Sequence, residues 1–137
     1  MKGIRYRKGY KYQLEADYQV YVGINALRGG INTQWLYLSE NGWLTIRKGY
    51  AWDGPSGPTL DTKDSLRGSL VHDAIYQLMR LGLLPQSYRD EADDLLRRIC
   101  IEDGMPPARA KLWYMGVRMF AEPYARYGTE REVITAP

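Results

Sequence analysis

The chain has a single histidine, His72, followed directly by Asp73 and, one helical turn later, by Tyr76. An imidazole titrates near neutral pH and works as a general base once an acceptor orients its other ring nitrogen. At about 100° per residue, Ser65, Ser69, His72 and Tyr76 fall on one side of a helix, away from a Leu66/Leu70/Ala74/Leu78 stripe, with Asp73 on the flank. Candidates for the acceptor lie in Arg89-Asp90-Glu91-Ala92-Asp93-Asp94. On a second helix Arg89 and Asp93 border the buried face, whereas Asp90 and Asp94 point into solvent. Asp93 is therefore the carboxylate expected to hold His72, and an arginine beside it would keep it ionised. Plainer accounts compete with this one. The polar side of the first helix reads equally as a solvated face with an incidental histidine, and acids in a first helical turn complement the macrodipole.

Asp53, Ser56, Asp61 and Asp64 lie just ahead of the histidine helix. Hard oxygen ligands of this kind, with backbone carbonyls, suit Ca²⁺ or Mg²⁺, although the spacing is not that of an EF-hand. Asp73 and Asp53 are the expected ligands of such a divalent cation. One histidine and one cysteine cannot make the usual zinc site. Ser56 lacks the strand-to-helix elbow of a hydrolase nucleophile, so turning the loop or capping is its expected role. The chain carries no Walker loop, no GxGxxG and no zinc-finger spacing.

The elements that must position these residues read as strands first and helices after. From Lys11 to Val22 apolar and polar residues alternate with the period of a half-buried strand. Gln34–Leu38 and Trp43–Ile46 flank Asn41-Gly42, a strong hairpin signal. Gly49 to Thr59 holds too much Gly and Pro for a regular element and reads as a shaped loop. A helix capped by Asp64 or Ser65 runs to about Leu81 and ends at Gly82. A second spans about Tyr88 to Glu102, with Ala92, Leu95, Leu96, Ile99 and Cys100 inward, before Gly104 and Pro106. A third begins near Pro107, buries Ala110, Trp113, Val117 and Phe120, and breaks at Pro123. The expected class is α+β: an N-terminal antiparallel sheet, a Gly/Pro loop and three C-terminal helices, as one domain over residues 1–127 with a polar tail over 128–137.

Composition bounds the function. At 137 residues, 45% hydrophobic and 26% charged, the chain suits one globular domain rather than a disordered or low-complexity one. A formal net charge of +3 is too small to call for a nucleic-acid polymer without a clustered basic stripe. The lone Cys100 excludes an internal disulfide framework and fits a reducing compartment. No run approaches the roughly 18–20 apolar residues of a membrane span, and the first residues do not read as a signal peptide. Twelve tyrosines and four tryptophans against one phenylalanine give many large side chains a polar tip, as at wet pockets and interfaces.

Several of these segments, in this order, resemble the phage and prophage family catalogued as domain of unknown function 1353. They are Ile46–Pro58, with Gly49-Tyr50-Ala51-Trp52-Asp53-Gly54-Pro55-Ser56; then His72-Asp73-Ala74-Ile75-Tyr76; then Arg89 with Ala92-Asp93; then Val117-Arg118. The likeness covers roughly Gln34 to Ala121, with one extra residue, Gly57, ahead of Pro58. It implies a viral origin and a shared polar set of Asp53, Ser56, His72, Asp73, Tyr76, Arg89 and Asp93. A more local likeness, of site and not of fold, is to secreted phospholipases A2, whose catalytic helix also carries H-D-x-x-Y. There a carboxylate from an antiparallel helix orients the histidine, the histidine activates water and the adjacent aspartate binds Ca²⁺.

Three functions follow as expectations. The first is a phage-encoded hydrolase of phosphoester-type substrates, such as a nucleotide signal of host defence. In it His72 is the base, Asp93 its orienter, Asp73 and Asp53 the cation ligands, Tyr76 or Arg89 the group that steadies developing negative charge, and Arg89 and Ser56 the residues that bind substrate. The second is a non-enzymatic virion or assembly component, in which the same cluster is a buried network and partners are virion proteins or further copies of the chain. The third is a protein that sequesters a small anionic ligand. The location implied is the cytoplasm of the infected bacterial host or the virion.

Overall fold

A computed structural model describes residues 6–7, 12–25, 28–52 and 63–126. These fall into two compact units, one within residues 1–53 and one within 54–130. The class is α+β, with antiparallel strands preceding the helices. Asp53, Ser56, Asp61 and the tail 128–137 lie outside the described residues.

The first unit holds seven strands among its described residues: β1 (Tyr6–Arg7), β2 (Tyr12–Leu14), β3 (Tyr18–Tyr21), β4 (Ile31–Asn32), β5 (Leu36–Leu38), β6 (Trp43–Ile46) and β7 (Ala51–Trp52). They make a three-stranded sheet in the order β1-β2-β7 and a four-stranded sheet in the order β3-β6-β5-β4. The single strand expected over Lys11–Val22 is thus two strands in different sheets. Between them Asp17 Oδ1 accepts the Lys48 backbone N–H at 2.7 Å. Leu14 and Tyr18 keep the same parity across this bend and both are buried, so the alternation runs on while the pairing partner changes. The Gly/Pro segment also departs from expectation. Its Ala51 and Trp52 form β7, paired with Gln13 and Tyr12, because both can bury their side chains before the prolines begin. The hairpin between β5 and β6 closes as expected, with the Gly42 N–H donating to Ser39 O and the Ser39 N–H to Trp43 O. Leu36, Leu38, Leu44 and Ile46 point to one side of this sheet and are fully buried.

The second unit is helical: α1 (Lys63–Arg80), α2 (Arg89–Glu102) after a 3₁₀ turn at Gln86–Tyr88, α3 (Pro107–Phe120) and the short α4 (Glu122–Ala125). α1 packs on α2 and α2 on α3. α1 already includes Lys63, so Asp64 and Ser65 lie in its first turn rather than at its cap. Both main stops are glycines in the left-handed region, Gly82 at φ 76° and Gly104 at φ 106°. At each, the next residue's N–H reaches back five residues (Leu83 to Leu78 O, Met105 to Cys100 O), satisfying carbonyls the helix leaves open. Leu96, Cys100, Met105, Ala110, Trp113 and Val117 form one buried cluster. α1 is buried on nearly its whole circumference, including Ser65, Ser69, His72 and Tyr76. A solvated polar face on this helix is therefore excluded. No helix among the described residues is long and apolar enough to cross a membrane.

Candidate active site

His72 and Tyr76 stand four apart on α1, which places their rings side by side with centroids 4.1 Å apart and planes tilted by 35°. α2 crosses this surface with Ala92, Leu95, Leu96 and Ile99 inward, and the same face carries Asp93, which is 0% exposed. One carboxylate oxygen serves both α1 residues: Asp93 Oδ1 lies 2.7 Å from His72 Nε2 and accepts the Tyr76 hydroxyl at 2.6 Å. Asp93 Oδ2 accepts from Arg118 Nη1 at 2.8 Å, and Arg89 Nε stands 3.8 Å from it. A buried carboxylate needs this many partners to remain charged. Burial by itself would raise its pKa, but hydrogen bonds from His72, Tyr76 and Arg118 more than reverse that and hold it below the ordinary value.

Tyr76 is 2% exposed, and burial, then its bond to the Asp93 carboxylate, push its phenol far above the usual range. Its proton stays on the oxygen and points at Asp93, so Tyr76 braces the network. Arg89 Nε donates to the same hydroxyl at 3.1 Å, while Nη2 donates to the carbonyls of Val117 at 3.0 Å and Arg118 at 2.6 Å. Those carbonyls close the last turn of α3, where a cation complements the helix dipole. Arg89 thus ties α2 and Tyr76 to the end of α3, and these bonds face into the protein.

Arg118 is the residue that reading along the two expected site helices leaves out. It lies on α3 and bridges two acids, with Nη2 2.7 Å from Asp90 Oδ1 and Nη1 on Asp93. Asp90, expected to point only into solvent, is exposed but serves this bridge. The Val117-Arg118 pair enters only as part of the family likeness, with no role for Arg118. His72 is 8% exposed, and among the described residues its Nδ1 has no hydrogen-bond partner. Asp73 beside it is half-buried. Among the described residues no three His, Cys, Asp or Glu side chains gather in a way that could hold a metal ion. Asp53 and Ser56 fall outside those residues, so of the expected cation pair only Asp73 is placed.

The arrangement can hold an imidazole in one tautomer through Nε2 and leave Nδ1 as the nitrogen that exchanges a proton. No protein-family model, no curated protein and no solved structure matches the chain.

Proposed function

We propose that the chain is a small hydrolase of phosphoester-type substrates with His72 as its general base. The observation that carries this reading is the 2.7 Å bond from His72 Nε2 to the fully buried Asp93. In the reaction Nδ1 takes a proton from water as the water oxygen attacks phosphorus. The P–O bond to the leaving group breaks, and the proton passes from Nδ1–H to the departing alkoxide, which restores the neutral imidazole. Asp93 stays ionised throughout, fixing the tautomer and stabilising the imidazolium. Tyr76, Arg118 and Arg89 hold Asp93 in place. The net charge of +3 favours an anionic substrate. A nucleotide signal of host defence is the substrate that the phage resemblance suggests. A divalent cation at Asp73 and Asp53 would neutralise charge developing on the phosphoryl oxygens.

The test compares wild type, His72→Ala and His72→Gln on bis(p-nitrophenyl) phosphate, a panel of cyclic dinucleotides and phospholipid vesicles, with and without added Ca²⁺ or Mg²⁺. Loss of a general base lowers turnover by about 10²–10⁴-fold. Full turnover by His72→Ala on a substrate that wild type cleaves, or no turnover by wild type on any of them, overturns the proposal.

A second reading has its own observation, the near-complete burial of the network. A satisfied polar network fixes how helices pack. On this reading the chain is a non-enzymatic virion or assembly component; it then co-purifies with virions and turns over none of the substrates above.

A further inference from the structure

The four-stranded sheet belongs to the first unit, and none of its residues is part of the helical site. Strand register places Asn32, Tyr37, Thr45 and Gln19 in one row across β4, β5, β6 and β3, and Tyr21 opposite Trp43 two residues further along. Alternate residues bury the other side of the same strands, so all six side chains share the outer side. Tyr21 is 56% and Trp43 45% exposed, with ring centroids 5.4 Å apart and an edge-to-face angle of 62°. The two rings touch, so they form one apolar patch rimmed by polar side chains, the kind of surface that suits a ligand.

Charge decides what kind of ligand this surface fits. None of the six is an Asp, Glu, Lys, Arg or His. At one end strand parity adds Arg47 and Asp17, one positive and one negative, so no net charge is added there. Arg47 donates to the carbonyls of Thr33 and Gln34 and to Asn32 Oδ1, and Asp17 accepts the Lys48 N–H. The Arg47 bond takes the acceptor of the Asn32 amide and leaves its NH₂ group to donate. Among the described residues, nothing bonds the side-chain polar groups of Gln19, Tyr21, Tyr37 or Thr45. The surface therefore offers two aromatic faces rich in electron density, ringed by neutral donors and acceptors. Nucleic acid and anionic lipid both demand cations that are absent from these six side chains.

We propose that the outer side of this sheet binds an uncharged oligosaccharide. A pyranose has a face of C–H groups that rests on an aromatic ring and a rim of hydroxyls that exchange hydrogen bonds with amides and hydroxyls. Trp43 and Tyr21 supply the rings, and Gln19, Asn32, Thr45 and Tyr37 supply the rim. The inference does not depend on His72 being a base.

The test is titration of the ¹⁵N-labelled full chain with chitotetraose, cellotetraose and maltotetraose, following the indole N–H signals. The Trp43 signal, identified by its loss in Trp43→Ala, shifts saturably with at least one of the three. Calorimetry then shows Trp43→Ala and Tyr21→Ala binding that sugar at least tenfold more weakly, Trp43→Phe in between and His72→Ala like wild type. Both aromatic side chains are exposed, and circular dichroism of each variant confirms that it folds. A Trp43 signal unmoved by all three sugars, or Trp43→Ala binding as tightly as wild type, overturns the proposal. So does a Trp43 signal that moves only on changing protein concentration, which would make this side a contact between copies of the chain.

Discussion

Replacing Asp93 with asparagine keeps the shape of the side chain and removes the charge on which three donors converge. Oδ1 accepts from His72 and Tyr76 and Oδ2 from Arg118. An amide offers one acceptor oxygen, so at least one of those donors is left facing an NH₂ group. A hydrogen bond to a charged group contributes about 1.5–3 kcal/mol, and removing one member of a buried ion pair costs about 3–5 kcal/mol. Arg118 keeps Asp90 and some solvent, which moves the expected loss for Asp93→Asn to the lower end, about 3 kcal/mol. For a domain between the small and larger size classes this lowers Tm by roughly 10 °C. Urea and thermal denaturation followed by circular dichroism measure the loss. The pH dependence has a definite sign. Asp93 has a folded pKa below its ordinary value, so its stabilisation is present above the unfolded pKa of about 3.9 and fades as pH falls through the folded one. Below roughly pH 4 the gap between wild type and Asp93→Asn therefore narrows as the carboxylate takes up its proton. A difference below about 0.5 kcal/mol at neutral pH, the range of an ordinary surface change, would refute the account of Asp93 as the hub. A gap that fails to narrow in strong acid would do the same.

Two further outcomes test the packing that holds the site. A Cβ on Gly68 would meet Cys100 Sγ at 2.8 Å and Leu96 Cδ1 at 3.2 Å, so Gly68→Ala must push α1 and α2 apart and is expected to cost about 1–3 kcal/mol in urea denaturation; unchanged stability would show that the helices yield freely there. Burial, helped by the nearby Asp103 and Asp64 charges, pushes the Cys100 thiol up to about 12. Ellman's reagent should leave the native chain unmodified and titrate one thiol per chain in guanidinium, and rapid reaction of the native protein would contradict this burial.

The helices were the more legible half of the chain because their signals are local. Gly82 and Gly104 end α1 and α2 where they were expected, and the residues expected inward on α2 (Ala92, Leu95, Leu96, Ile99 and Cys100) are buried. Strand partners are not local. Nothing in the alternation from Lys11 to Val22 reports that Tyr12 pairs with Trp52 while Tyr18 pairs with Ile46. Ala51-Trp52 was hidden by the glycines and prolines around it, since composition over a window averages a two-residue strand away. In the site, Asp93 was legible because the apolar stripe of α2 put it at the border of the buried face, whereas the stripe of α1 put His72 on the opposite side, which is buried as well. Arg118 was not legible, because its role depends on where a third helix ends.

The same geometry explains why Asp73, though adjacent in sequence, is not the partner of His72. Neighbouring side chains on a helix diverge by about 100°, so a residue at i+1 cannot reach the ring, whereas one at i+4 lies alongside it. That i+4 neighbour is Tyr76, and it bonds the same Asp93 oxygen as His72. Imidazole, phenol and carboxylate are thus coupled: the ring is held by a stack on one side and a charge at one nitrogen, and the charge is held by the phenol and by Arg118. A carboxylate supplied from α2 rather than α1 also makes the pairing depend on the packing of two helices. The histidine is oriented only when that packing is complete, so a change at the Gly68 contact should reach His72 without touching either side chain.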